Sequence, residues 1–223
     1  MKNAYKVACG AIFVAGLVMY SQAVSKPGSQ AAPQVVIKPY ADAEPARSHV
    51  VTYVHSQVAP NGFVRVVGSR TRYVKDNGEF REIMRGTNSK EPVILSGQSD
   101  GGVYVTPSNS SERRALSKDP APEKSLVQRL DDIFRSAEFL RNHKEFVRMD
   151  EVAGLTVFVL RAENNEGDWT ETSYSPQTGM TPLKTVVGFR DGGRVIIEAT
   201  NVEFADVPDD LNRDIEALPV KPR

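Results

Sequence analysis

The sequence predicts an α+β domain that is mostly β: a curved antiparallel sheet with one main packed helix. Three observations carry this. Short runs of β-branched and aromatic residues recur between turn signals such as Pro60-Asn61-Gly62 and Asp76-Asn77-Gly78. One stretch, Glu123 to His143, spaces its apolar residues as a helix does. Thr181 to Phe204 reads as a two-stranded hairpin about Asp191-Gly192-Gly193, residues that tolerate the positive φ of a tight turn.

Taken in order, Met1 to Ala23 has the form of an export signal. Lys2 and Lys6 precede the apolar run Val7 to Tyr20, 14 residues long, and Ser21-Gln22-Ala23 offers small residues at the positions a signal peptidase reads. A spanning helix needs about 20 apolar residues, so cleavage and retention as an inner-membrane anchor both stay open. Cys9, the only cysteine, lies inside this run, and a cleaved chain has no disulfide or thiolate ligand. Residues 24–47 are rich in Pro, Ser and Ala and read as an extended linker.

The folded domain is predicted over 48–211. His49 to Val58, Phe63 to Val74 and Glu79 to Arg85 form an antiparallel meander. Pro92 to Ser96 and Gly102 to Thr106 are two further short strands, and Pro107 to Pro122 a polar loop. In the helix, Leu126, Leu130, Ile133, Phe134, Ala137 and Leu140 form one apolar stripe, and Ser125 with Gln128 offers a capping box. Val152 to Leu160 is apolar in both phases of strand alternation and is expected to be buried on both faces. Trp169 to Tyr174 is the next strand, followed by the hairpin. From Pro208 the chain turns acidic and is read as trailing off, with 212–223 a C-terminal tail.

Formal net charge is zero over 223 residues, which argues against general nucleic-acid binding. The balance is uneven: 48–118 holds 10 Lys and Arg against 6 Asp and Glu, whereas 151–223 holds 7 against 13. Arg65, Arg70, Arg72, Arg81, Arg85, Arg113 and Arg114 make a basic set that could meet acidic groups, lipid headgroups included. Solvated strand faces explain the same split. His49, His55 and His143 have no metal-ligand spacing and are assigned to surface or edge positions. There is no Gly-x-Ser-x-Gly elbow and no Walker A loop; GQSDGG, residues 97–102, reads as a turn. Asp131 and Asp132 point apart on the helix, and the acidic tail lacks the glycine and closing glutamate of a calcium loop. No catalytic set, metal site or cofactor is predicted, and the chain is read as non-enzymatic.

The C-terminal half, from VAGLTVFVL through SYSPQTGMTPLK to EFADVPDD, resembles the pattern of bacterial LolA/LolB-like periplasmic proteins. The matching residues are Tyr174, Pro176, Thr178, Gly179, Pro182, Leu183, Lys184, Phe204, Val207 and Pro208, within about 152–211. The amphipathic helix that the group carries before its first strand has no counterpart in Gln34 to Arg47. The resemblance implies an incomplete barrel that holds a lipid or acyl chain between sheet and helix. The sequence then points to an exported, periplasmic or secreted protein that binds a lipid or other apolar ligand. Leu130, Ile133, Phe134, Ala137, Leu155, Val157, Val159, Val195 and Ile197 are the expected apolar walls. The alternative is a membrane-anchored envelope module that senses or binds a protein partner and takes no small ligand.

Overall fold

The computed structural model describes residues 47–97, 102–107, 109–116 and 130–220. The export-like segment, the linker, the capping-box residues Ser125 and Gln128, and the centre of the GQSDGG turn lie outside them.

Among the described residues, eleven strands form one antiparallel sheet. They are β1 His49–Val58, β2 Val64–Val74, β3 Phe80–Gly86, β4 Val93–Gly97, β5 Val103–Pro107, β6 Arg114–Ala115, β7 Phe146–Val152, β8 Leu155–Glu163, β9 Trp169–Tyr174, β10 Pro182–Gly188 and β11 Arg194–Glu203. Their order is β6-β5-β4-β3-β2-β1-β11-β10-β9-β8-β7, so the sheet is open, with β6 and β7 at its edges. Each half is a meander of neighbours in sequence. The two halves join where β11 pairs with β1, Ile197 opposite His55 and Glu198 opposite Val54. Every predicted strand of the N-terminal half is present within a residue or two.

Val152 to Leu160 is not one strand. Val152 ends β7, Ala153 and Gly154 turn with φ of 50° and 78°, and Leu155 starts β8. Two successive positive φ values make the kind of two-residue hairpin turn whose twist suits the flanking strands. The burial prediction holds for the β8 part: Val157, Phe158, Val159 and Leu160 are all buried.

The single helix is also corrected. Residues 130–134 are helical, the chain leaves the helix at Arg135-Ser136, and α1, Ala137–Asn142, starts afresh. Ser136 caps it, its hydroxyl accepting from Phe139 N at 3.2 Å. The break has a cause in Arg135, only 2% exposed. Its Nε donates to Asp131 Oδ2 at 2.8 Å and its Nη1 to the Gln177 carbonyl at 3.1 Å. A buried guanidinium is tolerable only with such partners. The other oxygen of Asp131 accepts from Met180 N at 2.8 Å, so this one ion pair docks the helical segment on the turn 175–180. A Cβ at Gly179, φ 56°, would collide with that carboxylate.

The stretch after Pro208 does not trail off. Leu211, Asn212 and Ile215 are buried, and a short helix, α2, spans Arg213–Glu216. Arg81 clasps it, with Nη1 and Nη2 on the two Asp214 oxygens at 2.6 and 2.9 Å. Asn212 Nδ2 donates to Glu79 Oε1 and to the Phe80 and Gly97 carbonyls. Further on, Arg113 N donates to the Pro219 carbonyl, and Arg113 bridges Val220 beside β6. Two acidic residues of this segment meet basic groups of the N-terminal half: Asp214 pairs with Arg81 of β3, and the exposed Asp209 with Lys75, just beyond β2.

Candidate functional site

Register places one continuous set of side chains on the face that meets the helical segment. Crossing the sheet at one level, Phe146, Leu160, Thr172, Thr185, Ile197, His55 and Gly68 lie side by side. Alternation along each strand adds Arg70 and Arg72 on β2, Phe80 and Glu82 on β3, and Leu95 on β4. This inner face carries two buried apolar clusters. One packs Phe134 and Leu140 against Phe158 and Leu160, flanked by Ala137, Phe139, Phe146, Tyr174 and Met180. The other packs Val74, Phe80 and Leu95, with Met84, Val103, Val105 and Leu116 around them.

Between the clusters lies the inner face of β9 to β11. Its rungs are Thr172–Thr185–Ile197 and Thr170–Val187–Val195. Ile197 is buried, while Thr170, Thr172, Thr185, Val187 and Val195 are only half-buried. β-branched side chains fill this floor because they suit a pleated surface, and their only polar atoms are hydroxyls.

The N-terminal part of the same face is charged. Glu82 is buried and accepts from Arg70 Nη1 and Arg72 Nη1, each at 3.3 Å on a separate oxygen. Arg70 lies over the Tyr53 ring at 4.0 Å and Arg72 over Phe80 at 4.2 Å. A weakly hydrated guanidinium tolerates such stacking better than an ammonium would. Two arginines on one glutamate leave one formal positive charge on the inner face. Tyr53 stays protonated, because burial raises its phenol and its hydroxyl donates to the Pro182 carbonyl at 2.9 Å.

Two of the three histidines are not at the surface. His49 and His55 lie on β1, a central strand, and are buried on the inner face. They looked exposed because the pairing with β11, nearly 150 residues away, is invisible locally. His49 Nδ1 donates to the Arg47 carbonyl at 2.9 Å, leaving Nε2 to accept from the Thr181 hydroxyl at 3.0 Å. Desolvation lowers both imidazoles to about 4, so both are neutral at neutral pH. His143 is half-buried beyond the end of α1. Among the described residues, no group of three or more His, Cys, Asp and Glu could hold a metal ion.

With this geometry in hand, solved structures offer a comparison. The chain is similar in fold to LolA superfamily proteins. One is the LolA superfamily protein NE2245 of Nitrosomonas europaea, at 15% identity and a TM-score of 0.36, covering 76% of this chain and 91% of that one. Another is a putative outer membrane lipoprotein-sorting protein domain of Vibrio parahaemolyticus, at 10% identity and a TM-score of 0.32, covering 78% and 93%. A third is the MucA/MucB complex of Pseudomonas aeruginosa, at 18% identity and a TM-score of 0.42, covering 76% of this chain. This chain spans 56% of the length of that matched chain. No family model and no curated protein matches. At these scores the likeness gives no residue a role.

The predicted wall residues divide by strand phase. Phe134 and Ala137 join the first cluster, Ile133 is buried beside them in sequence, and Leu130 is half-buried in the same helical segment. Val195 and Ile197 lie on the inner-face floor. Leu155, Val157 and Val159 have the opposite phase to Phe158 and Leu160, so they point to the other face of β8. A run apolar in both phases carries no signal for which phase meets the helix. Sequence reasoning missed the threonine rungs and the buried Arg70–Glu82–Arg72 set. Its one usable signal was Arg70, Arg72 and Glu82 at even spacing within strands.

Proposed function

We propose that this protein binds a lipid or other apolar ligand in the cell envelope without catalysing its conversion. The ligand lies along the inner face, on the floor formed by Thr170, Thr172, Thr185, Val187 and Val195. The observation that carries the reading is that this floor of β-branched threonine and valine side chains, with no charged group among them, is only half-buried, while the clusters on either side of it have buried centres. An apolar surface left partly open inside a fold gains by accepting an apolar guest, at about 25 cal/mol for each Å² covered. Phe134 and α1 form one wall and the Arg70–Glu82–Arg72 set the far end. The export-like form of 1–23 supports a periplasmic or secreted location, free or anchored to the inner membrane.

Native mass spectrometry of the purified full chain, followed by organic extraction, tests this. A co-purifying lipid or acylated species is expected, and Val187→Glu with Val195→Glu should release it while circular dichroism stays unchanged. A chain mass with nothing bound, or a ligand retained by the double variant, overturns the reading.

A second reading, a module that binds a protein partner, has its own support. Phe63, Val64 and Val66 are exposed in and beside the β1–β2 turn, 67%, 58% and 53% respectively, and clustered apolar exposure marks contact surfaces.

A further inference from the structure

The two edges of the sheet differ. At β6 the C-terminal segment comes alongside through Pro219 and Val220. Among the described residues no strand pairs with the outer edge of β7, and residues 147–151 are all exposed, with Val147 at 49% and Met149 at 48%. An uncovered edge strand offers unpaired N–H and C=O groups to another strand.

Which groups are offered follows from the turn. Val152 and Leu155 close a two-residue hairpin and therefore form a mutually hydrogen-bonded pair. Alternation then turns the backbone groups of Glu151 and Met149 away from β8. The Glu151 N–H agrees with this, since it donates to its neighbour Asp150 Oδ1 at 2.9 Å instead of to β8.

We infer that β7 is the docking surface for β7 of a second copy, paired antiparallel about a two-fold axis through Met149. Backbone parity allows three registers of good overlap. One sets Arg148 against Arg148 of the second copy, and another sets Asp150 against Asp150. Only the register centred on Met149 puts Arg148 opposite Asp150 at both symmetry-related positions. It makes Met149 a mutually hydrogen-bonded pair and Arg148–Asp150 a close, non-hydrogen-bonded pair, where side chains approach most. Both charged side chains are about half exposed, 48% and 49%, on the outer face. Arg148 Nη2 is held in place by Glu171 Oε2 at 2.9 Å, while its Nε is 4.0 Å from Asp150 of its own chain. The same pairing offers the Glu151 N–H a carbonyl at Val147 of the second copy and so frees the Asp150 carboxylate for its new partner. The interface is isologous, and it extends one sheet into the next.

The full chain tests this in neutral detergent, by sedimentation and by disulfide trapping in a Cys9→Ser background. Met149→Cys is expected to give a covalent dimer on oxidation, and Val147→Cys, displaced along the strand from its own copy, is not. Arg148→Asp alone should weaken dimerisation about tenfold or more, and Arg148→Asp with Asp150→Arg should restore it. Circular dichroism confirms that each variant is folded. A chain monomeric at every concentration, equal trapping at positions 147 and 149, or a double swap no better than the single one overturns the inference. A monomer would leave the edge to an extended segment of another protein.

Discussion

His49 and His55 are set by burial rather than by a neighbouring carboxylate. Desolvation is the leading cause of both depressed values, and nearby arginines push in the same direction. The consequence for stability has a definite sign. An unfolded imidazole takes a proton near 6.5, whereas these take theirs near 4, so between those values the unfolded chain binds more protons. Their contribution is complete above about pH 6.5 and is lost as pH falls toward 4, up to about 3 kcal/mol for each. The urea midpoint is expected to fall between pH 7 and pH 4.5, and to fall much less in a His49→Asn, His55→Asn variant. The carboxylates of Glu171 and Asp214 are held low by hydrogen bonds from Arg148 and Arg81. Their contribution is present above the ordinary carboxylate range and is lost only in stronger acid. A midpoint equally pH-dependent in the double variant would move the effect from the histidines to such carboxylates.

At the scale of elements, local signals read well where a turn residue and a change of period coincide. β1 and β9 match their predicted bounds, and Asn61-Gly62 and Gly192-Gly193 mark the β1–β2 and β10–β11 hairpins. The reading failed at two places where the punctuation was weak. Ala153-Gly154 does not look like a tight turn, because alanine rarely adopts positive φ. β7, FVRMDEV, is an edge strand exposed on both sides, so it lacks the apolar alternation that marks a half-buried strand. The break in the helix was hidden for another reason. Arg135 sits among helix formers and looks like a solvated residue, and only its ion pair with Asp131 and the turn beyond shows why it is buried. Ser136 then has a capping role that its spacing did not reveal. Ser136→Ala is expected to cost about 1 kcal/mol in chemical denaturation, the usual value for a lost N-cap. An unchanged midpoint would mean that the packing of Leu140 and Phe134 alone holds α1.

At the scale of the whole molecule, three non-local contacts complete the fold. β11 pairs with β1 and makes one sheet of two meanders. Asp131 and Arg135 seat the helical segment on the turn 175–180. The chain beyond Pro208 returns to the N-terminal half and lays Leu211 and Ile215 against it, while Arg81 and Lys75 hold its carboxylates. Ile215 is buried, so Ile215→Ala is expected to destabilise the whole domain by about 2–5 kcal/mol. Thermal unfolding of the full chain measures it, and a loss near zero would mean that this segment is dispensable to the sheet.

The amino-acid sequence determined the class of fold, the hairpins marked by Asn-Gly and Gly-Gly, and the double burial of β8, because turn chemistry and two-residue alternation act between near neighbours. Its LolA-like stretch also pointed to the open, helix-backed sheet. Tertiary structure alone decided which phase of β8 meets the helix, why two histidines and Arg135 are buried, and where the acidic tail goes. Each of these depends on partners well beyond local range, from Phe134 and Leu140 against Phe158 and Leu160 to Arg81 against Asp214. A buried charge or imidazole reads in sequence like an exposed one until the residue that satisfies it has been brought alongside.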